Sequence, residues 1–341
     1  MGAEGRLFID NRDAFLEYGL FVEDGGYKSL IQFPAFKKLD TTEWDEFDGI
    51  EIDLSAPVLD TKSFSMNFCI TNINYAEDLF DELATGAYHT FEFREINKTY
   101  KLRMTSNGSF SQFVKLGKMT LSFADDFPTI PTGNHYVYGK SGIRQNGYEL
   151  DGIDFSQFGS YVLNGTDAAI RKAPNVRSNL TIDTSTLAGV VYDGDNVSFK
   201  TKDVAVKILI NAETIDEFWR RWNSLFSVVL QPEARSFYFA ALGNEYECYY
   251  KSNTVNTFKI LHNGHIWCDF TLTLTFISCR PVGSYLLLAT EDFDWIITED
   301  TANPSRIRIR PKGHLVMLIS ENGEYIVTED DDSKIYFNNQ N

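Results

Sequence analysis

TKDVAVKILINAETIDEFWRRWNSLFSVV (201–229) decides the fold. Its first part alternates apolar and polar residues, which buries one face of a β-strand. Its second part reads as a helix over 214–226. Ile215, Phe218, Trp219, Trp222 and Phe226 fall on one stripe at helical spacing. Thr214 and Glu217 supply the S/T-x-x-E signature of a helix start. Strand-like runs follow: FYFAAL (237–242), YECYY (246–250) and FKILHNGHIWCDFTLTLTF (258–276), closing on SCRP (278–281).

A shorter version of this stretch occurs earlier. KSFSMNFCI (62–70) alternates Phe64, Met66 and Phe68 with polar residues. NYAEDLFDELA (74–84) reads as a short helix with Asn74 as N-cap, Glu77 three residues on, and Leu79, Phe80 and Leu83 on one face. The strands FEF (91–93), YKLRM (100–104) and GKMTLSFADDFP (117–128) come next. The opening segments also match. Tyr18-Gly19, Phe21-Val22 and Gly25 correspond to Phe158-Gly159, Tyr161-Val162 and Gly165, 140 residues later (159 − 19 = 140). Thr61-Lys62 and Ile70 match Thr201-Lys202 and Ile210 at the same offset. Leu121, Phe123 and Pro128 align with Leu274, Phe276 and Pro281 at 153 (281 − 128 = 153). That alignment places the extra residues of the second copy around FYFAAL and the HNGH hairpin.

The chain therefore reads as a tandem duplication, mainly β with α+β character. Residues 1–128 form the first unit, 129–146 a turn-rich linker, and 147–281 the second unit. Within the first, DGIEIDLSAP (48–57) alternates Ile50, Ile52 and Leu54. Residues 282–341 form a small all-β module, in which ATEDFDWIITED (289–300) and ISENGEYIVTED (319–330) repeat at an offset of 30 (329 − 299 = 30).

Composition narrows the function. The 341 residues suffice for two ordinary cores and a small third unit. Aromatics make up 14%, with 27 Phe and 17 Tyr, which favours sheets. A net charge of −17 argues against a phosphate-binding surface or an anionic membrane face. The opening MGAEGRLFID has no basic head or apolar core, so no signal peptide is expected. Cys69, Cys248, Cys268 and Cys279 lie in strand-like runs without a C-x-x-C pair and read as free, buried thiols. Asn97 and Asn179 head chance glycosylation triplets.

No residue is expected to act as a catalytic, cofactor or metal site, and the chain does not read as an enzyme. G-x-S-x-G, H-E-x-x-H, P-loop and dinucleotide motifs are missing from the sequence. His262-Asn263-Gly264-His265 reads as a hairpin tip rather than a ligand pair, with both central residues at positive φ. Asp151-Gly152-Ile153-Asp154 and Asp193-Gly194-Asp195-Asn196 lack the length and closing Glu of a calcium loop and read as turns. Glu299-Asp300 and Glu329-Asp330-Asp331-Asp332 read as solvated strand edges rather than calcium ligands. The aromatic stripe of 214–226 reads as core rather than a sugar platform, and Arg220-Arg221, on its far face, as an interface candidate.

YELDGIDFSQFGSYV (148–162), followed by strand, helix, meander and TLTFISCRP (273–281), resembles the N-terminal domain of distal tail proteins of long-tailed phages. The first unit is similar but looser: Asp10-Asn11 stands where the pattern has Asp-Gly, and its hairpin region is shorter. The resemblance implies a tail-tube fold, a β-sandwich or half-barrel with a flanking helix, and a structural protein of the tail tip or baseplate. Such a protein would lie in the virion tail after assembly in the host cytoplasm. It would form a ring joining the tail tube to hub, spike or fibre proteins, with DNA passing through without specific binding. Two tube-like units per chain allow a hexamer of stacked rings or a trimer with one pseudo-hexameric ring. No cofactor or membrane partner is expected. The competing reading is a monomeric glycan-binding β-sandwich, for which Trp295 and Tyr325 would matter. A third, a hydrolase, would need a concave pocket with convergent carboxylates.

Overall fold

The computed structural model describes residues 3–281, apart from 46, 72, 114–115, 133–146, 179–180, 187 and 193–196, together with 286–287 and 308–309. The first unit runs β1 (Leu7–Ile9), β2 (Arg12–Asp13), α1 (Ala14–Tyr18), β3 (Leu20–Val22), α2 (Lys28–Ile31), β4 (Thr41–Thr42), β5 (Glu51–Ile52), β6 (Lys62–Ile70), α3 (Ala76–Ala84), β7 (His89–Phe93), β8 (Lys98–Phe113) and β9 (Leu116–Asp125). The second runs β10 (Tyr148–Leu150), β11 (Ile153–Asp154), a 3-10 turn (Phe155–Phe158) in place of α1, and β12 (Ser160–Val162). It continues with α4 (Thr166–Arg171), β13 (Thr181–Asp183), β14 (Val190–Tyr192), β15 (Lys202–Ala212), α5 (Ile215–Val229), β16 (Arg235–Phe239), β17 (Asn244–Ile260) and β18 (Ile266–Phe276).

Each unit is built on a seven-stranded antiparallel sheet. The orders are β2-β1-β7-β8-β9-β6-β3 and β11-β10-β16-β17-β18-β15-β12, the same term by term. The connection between the outermost strands forces each sheet to curl. Seven flat strands would span roughly 29 Å at ~4.8 Å per gap. Yet β2 and β3 are joined through the five-residue α1 and one glycine, a reach of about 10 Å. The sheet must bend until its edges approach, which gives a half-barrel. The outermost strands are two or three residues long, and pairing on that side of each sheet is partial: β7 covers only Lys98–Leu102 of β8, and β16 only Asn244–Cys248 of β17. Between β2 and β3 the chain makes the helical turn α1, capped by the Asp13 carboxylate, which accepts from the amides of Phe15 and Leu16.

Alternation decides which face is inside. In β6, Phe64, Met66, Phe68 and Ile70 are buried, and in β15 Val204, Val206, Ile208 and Ile210. The opening hairpin turns are equivalent. Asp10 and Asn11 both take positive φ, as do Asp151 and Gly152, the pair that a tight two-residue turn requires.

The repeat holds in detail, but its insertions lie elsewhere than the sequence alignment put them. The offset is 140 at Ile70 and Ile210. It becomes 146 at β7 and β16 (235 − 89 = 146), because α5 has 15 residues and α3 has 9. It becomes 151 at the last strand, where Ile70 pairs with Gly117 and Ile210 with Cys268 (268 − 117 = 151). The expected match of Phe123 with Phe276 is therefore corrected to Phe123 with Leu274. The slip was two residues, which leaves every side chain on its proper face. At the tip of the second hairpin only Gly264, not Asn263, has positive φ, so the loop is longer than a two-residue turn.

The two units share one apolar core. Phe33 of the first stacks on Trp222 (6.3 Å) and lies 4.6 Å from Phe226, both on α5. The Tyr250 hydroxyl donates to the Phe33 carbonyl at 3.1 Å, and Trp219 Nε1 donates to the Ile96 carbonyl at 2.5 Å. The helix start at Thr214 is as expected, its hydroxyl accepting from the Glu217 amide at 3.2 Å. Asn74 is not the cap of α3. A 3-10 turn over Ile73–Tyr75 precedes that helix, and Tyr75 at its N-cap makes no side-chain cap bond.

Most of 129–146 and of the module at 282–341 lies outside the described residues. In the latter, Leu286–Leu287 pairs with Arg308–Ile309. The offset-30 repeat, Trp295, Tyr325, both acidic clusters and Asp193–Asn196 also fall outside.

Candidate assembly surface

The sequence-predicted motifs resolve into structure. Among the described residues, no group of three His, Cys, Asp or Glu could hold a metal, and no helix is long and apolar enough to cross a membrane. His262 and His265 flank a hairpin tip in which the Gly264 amide bonds to Leu261 O at 2.8 Å. Cys248 and Cys268 are buried free thiols, held protonated by burial; Cys69 and Cys279 are half-buried. The aromatic stripe of α5 is core: Phe218, Trp222 and Phe226 are fully buried. Arg221 is not an open interface residue. It pairs with Glu217 and donates to the carbonyls of Gly159 (3.0 Å) and Asn211 (2.8 Å), tying α5 to the turn before β12.

A cavity of ≈ 410 Å³ lies between the units, lined by Phe33, Lys62, Tyr100, Asp125, Trp219 and Trp222 among others. Asp125 is the one carboxylate on its described wall. The Lys62 ammonium is buried and bonds the Leu30 carbonyl. Burial pushes its pKa down to about 7, partly opposed by Asp125. Lys202 repeats the bond on the Ile170 carbonyl.

The feature that sequence reasoning missed is an arm. Residues 37–58 leave the first unit as a hairpin, β4 with β5, and lie on the second unit. Backbone meets backbone there: the Gly49 amide bonds Phe199 O at 2.9 Å and the Ile50 amide bonds Ile277 O at 3.2 Å. Asp48 Oδ1 accepts from the Phe199 amide at 2.8 Å and also pairs with Arg280. Arg177, with a side chain only 5% exposed, donates to Glu43 at 2.8 Å and to the Gly49 carbonyl. Gly49 has φ +80, and a Cβ there would sit 2.0 Å from Ile277 O, so glycine is needed for this approach. The sequence signal was Asp48-Gly49 ahead of an alternating run. It marked a turn but could not say what the turn touches.

Several large apolar residues are exposed, among them Trp44 (49%) and Phe47 (67%) on the arm. Ile182 (51%), Val190 (58%), Val191 (54%) and Tyr192 (45%) lie on the β13–β14 hairpin. Val58 (57%) and Phe127 (56%) lie on the first unit.

No family model matches this chain, and no curated protein matches it. Among solved structures, it is similar to the SPP1 Dit (gp 19.1) protein, described as a paradigm of the hub adsorption apparatus in Gram-positive infecting phages. The identity is 11%, the match covers 80% of this chain and 98% of that one, and the TM-score is 0.27. A superposition that loose carries no functional argument.

Proposed function

We propose that this chain is a structural subunit of a phage or prophage tail tip. It assembles with copies of itself into a ring between the tail tube and the receptor-binding or spike apparatus. The observation that carries the reading is the duplicated half-barrel: two sheets of identical strand order, joined through a shared core and a reaching arm. A unit that binds its own repeat in this way has the means to bind further copies. The pattern resemblance of 148–162 and 273–281 to distal tail proteins supplies the setting, a virion tail assembled in the host cytoplasm.

The charge of −17 suits a channel through which DNA slides, because it repels phosphates. The reading assigns no catalysis, cofactor or membrane contact to the chain. Its ring is either a hexamer of stacked rings or a trimer with one pseudo-hexameric ring. Light scattering on the purified chain tests it: a closed oligomer at micromolar concentration is expected. A stable monomer across that range would contradict the reading and favour the glycan-binding alternative.

A further inference from the structure

The second unit carries the same arm, without its seat. β13–β14 has the register of β4–β5: Thr181 faces Tyr192 as Thr41 faces Ile52. The bond at its base is repeated, Arg177 N to Ser198 O at 2.9 Å against Lys37 N to Val58 O at 2.8 Å. Gly189 takes φ +84 where Gly49 takes +80. Around Gly49 the backbone of Ile277 fills the space, whereas a Cβ on Gly189 would meet nothing within 4 Å. A lone two-stranded hairpin is marginal in water, and an apolar one exposed along both strands calls for a cover.

The matching seat exists on the first unit. The groups that hold the first arm are Phe199 O, Ile277 O and the Arg177 side chain. Their equivalents by the repeat are Leu59, Asp126 and Lys37. Beside them lie the exposed Val58 and Phe127. Lys37 is exposed and, among the described residues, its ammonium has no partner. Asp183 occupies the place of Glu43, is likewise exposed, and no described basic group reaches its carboxylate. The pair Arg177–Glu43 thus has a counterpart of the same signs in Lys37 and Asp183. Other contacts change character: Ala188, Val58 and Thr129 replace Asp48, Ser198 and Arg280, and Val191 replaces Glu51. The second contact is the more apolar of the two.

The seat must belong to another molecule. Were the units related by a twofold, the second arm would reach the first unit of its own chain, and both arms would be docked. Only one is, so the relation is heterologous and points onward to a further copy. We infer that the second arm clasps the first unit of a neighbouring copy of this chain. The Gly189 amide bonds the Leu59 carbonyl, the Val190 amide bonds the Asp126 carbonyl, and Asp183 pairs with Lys37. The two units of each chain then alternate around one cycle. This deepens the assembly reading above and rests on it for closure into a ring.

The test uses the full chain with residues 181–192 replaced by a short Gly-Ser turn, alongside the charge reversals Asp183→Lys and Lys37→Asp. Mass is read by light scattering over a dilution series, and folding by circular dichroism. Loss of the oligomer on arm removal, with an unchanged melting curve, is expected. Asp183→Lys should shift the dissociation midpoint about tenfold, and Lys37→Asp in the same chain should restore it. If the shortened chain fails to fold, the charge pair decides alone: no shift, or no restoration, overturns the clasp. An oligomer unchanged by arm removal overturns the clasp but leaves the ring. A wild-type monomer overturns both.

Discussion

The helices α3 and α5 hold the same place in the two units, yet they bury very different surfaces. In α3 only Ala76, Leu79 and Leu83 are buried. In α5 every residue from Ser224 to Val229 is buried, in addition to Phe218, Trp219 and Trp222. The extra turns explain the contrast. They carry Phe226 to the junction of the two units, where Phe33 of the first unit packs on it. A helix that serves one sheet needs one apolar stripe; one that lies under two units is buried nearly all round. The arms repeat the lesson in reverse. The first is docked and semi-polar, the second exposed and apolar. The duplicated chain has used one of each pair to join its own halves, and it leaves the other for a neighbour.

The largest effect should come from breaking the helix contrast at its centre. Trp222→Ala removes a fully buried indole that packs on Phe33, Phe226 and Phe270. It should destabilise the chain by about 3–5 kcal/mol. Because Phe33 belongs to the other unit, a double-mutant cycle with Phe33→Ala should show coupling, read from denaturant unfolding. Additive effects would mean that the units do not support each other through this contact.

The arm contrast is sharpened by two matched glycine substitutions. Both sites have left-handed φ, where a side chain costs roughly 1–2 kcal/mol. Gly49→Ala adds a collision with Ile277 O and should cost more than that, with protease cleavage appearing near 43–50. Gly189→Ala has open space in the single chain and should cost only the backbone term. Equal losses in thermal melts of the dilute protein would contradict the docked-versus-free distinction.

Lys62 gives a pH dependence. Its folded pKa is about 7 and its unfolded value 10.5. Above pH 7 the unfolded chain binds the extra proton, so stability rises with pH, and below pH 7 the full penalty remains. Between pH 7 and 8 the gain should be about 1 kcal/mol, in a window below the ionisation of the thiols. Lys62→Met should flatten that rise in a set of melting curves.

The smallest effect is at the cap that distinguishes α5 from α3. Thr214→Ala should cost about 1 kcal/mol, whereas Asn74→Ala should leave α3 with its Tyr75 start and cost less. Chemical denaturation of the two variants compares them directly.

The sequence revealed what depends on local period. The faces of β6, β15 and β18 follow from alternation alone, and α5 follows from its stripe and Thr214. It failed where equivalent answers look alike. A strand shifted by two residues shows the same faces, so Phe123 was matched to Phe276 rather than Leu274. Only part of the added length of α5 was legible, because Ser-Val-Val does not mark a helix end, and the aromatic FYFAAL run drew the rest of the insertion to itself. The arm was illegible for another reason. Its seat is made partly of backbone groups, Phe199 O and Ile277 O, which leave no trace in side-chain pattern, and the Arg177 and Arg280 that pair with it lie far away in sequence.

Class averages from electron microscopy of the assembled wild-type protein test the central claim most directly. A single-layered ring is expected, with twice as many lobes as chains by mass, and with a bridge of density between each second unit and the next first unit. Two stacked layers, each with one lobe per chain, would contradict it.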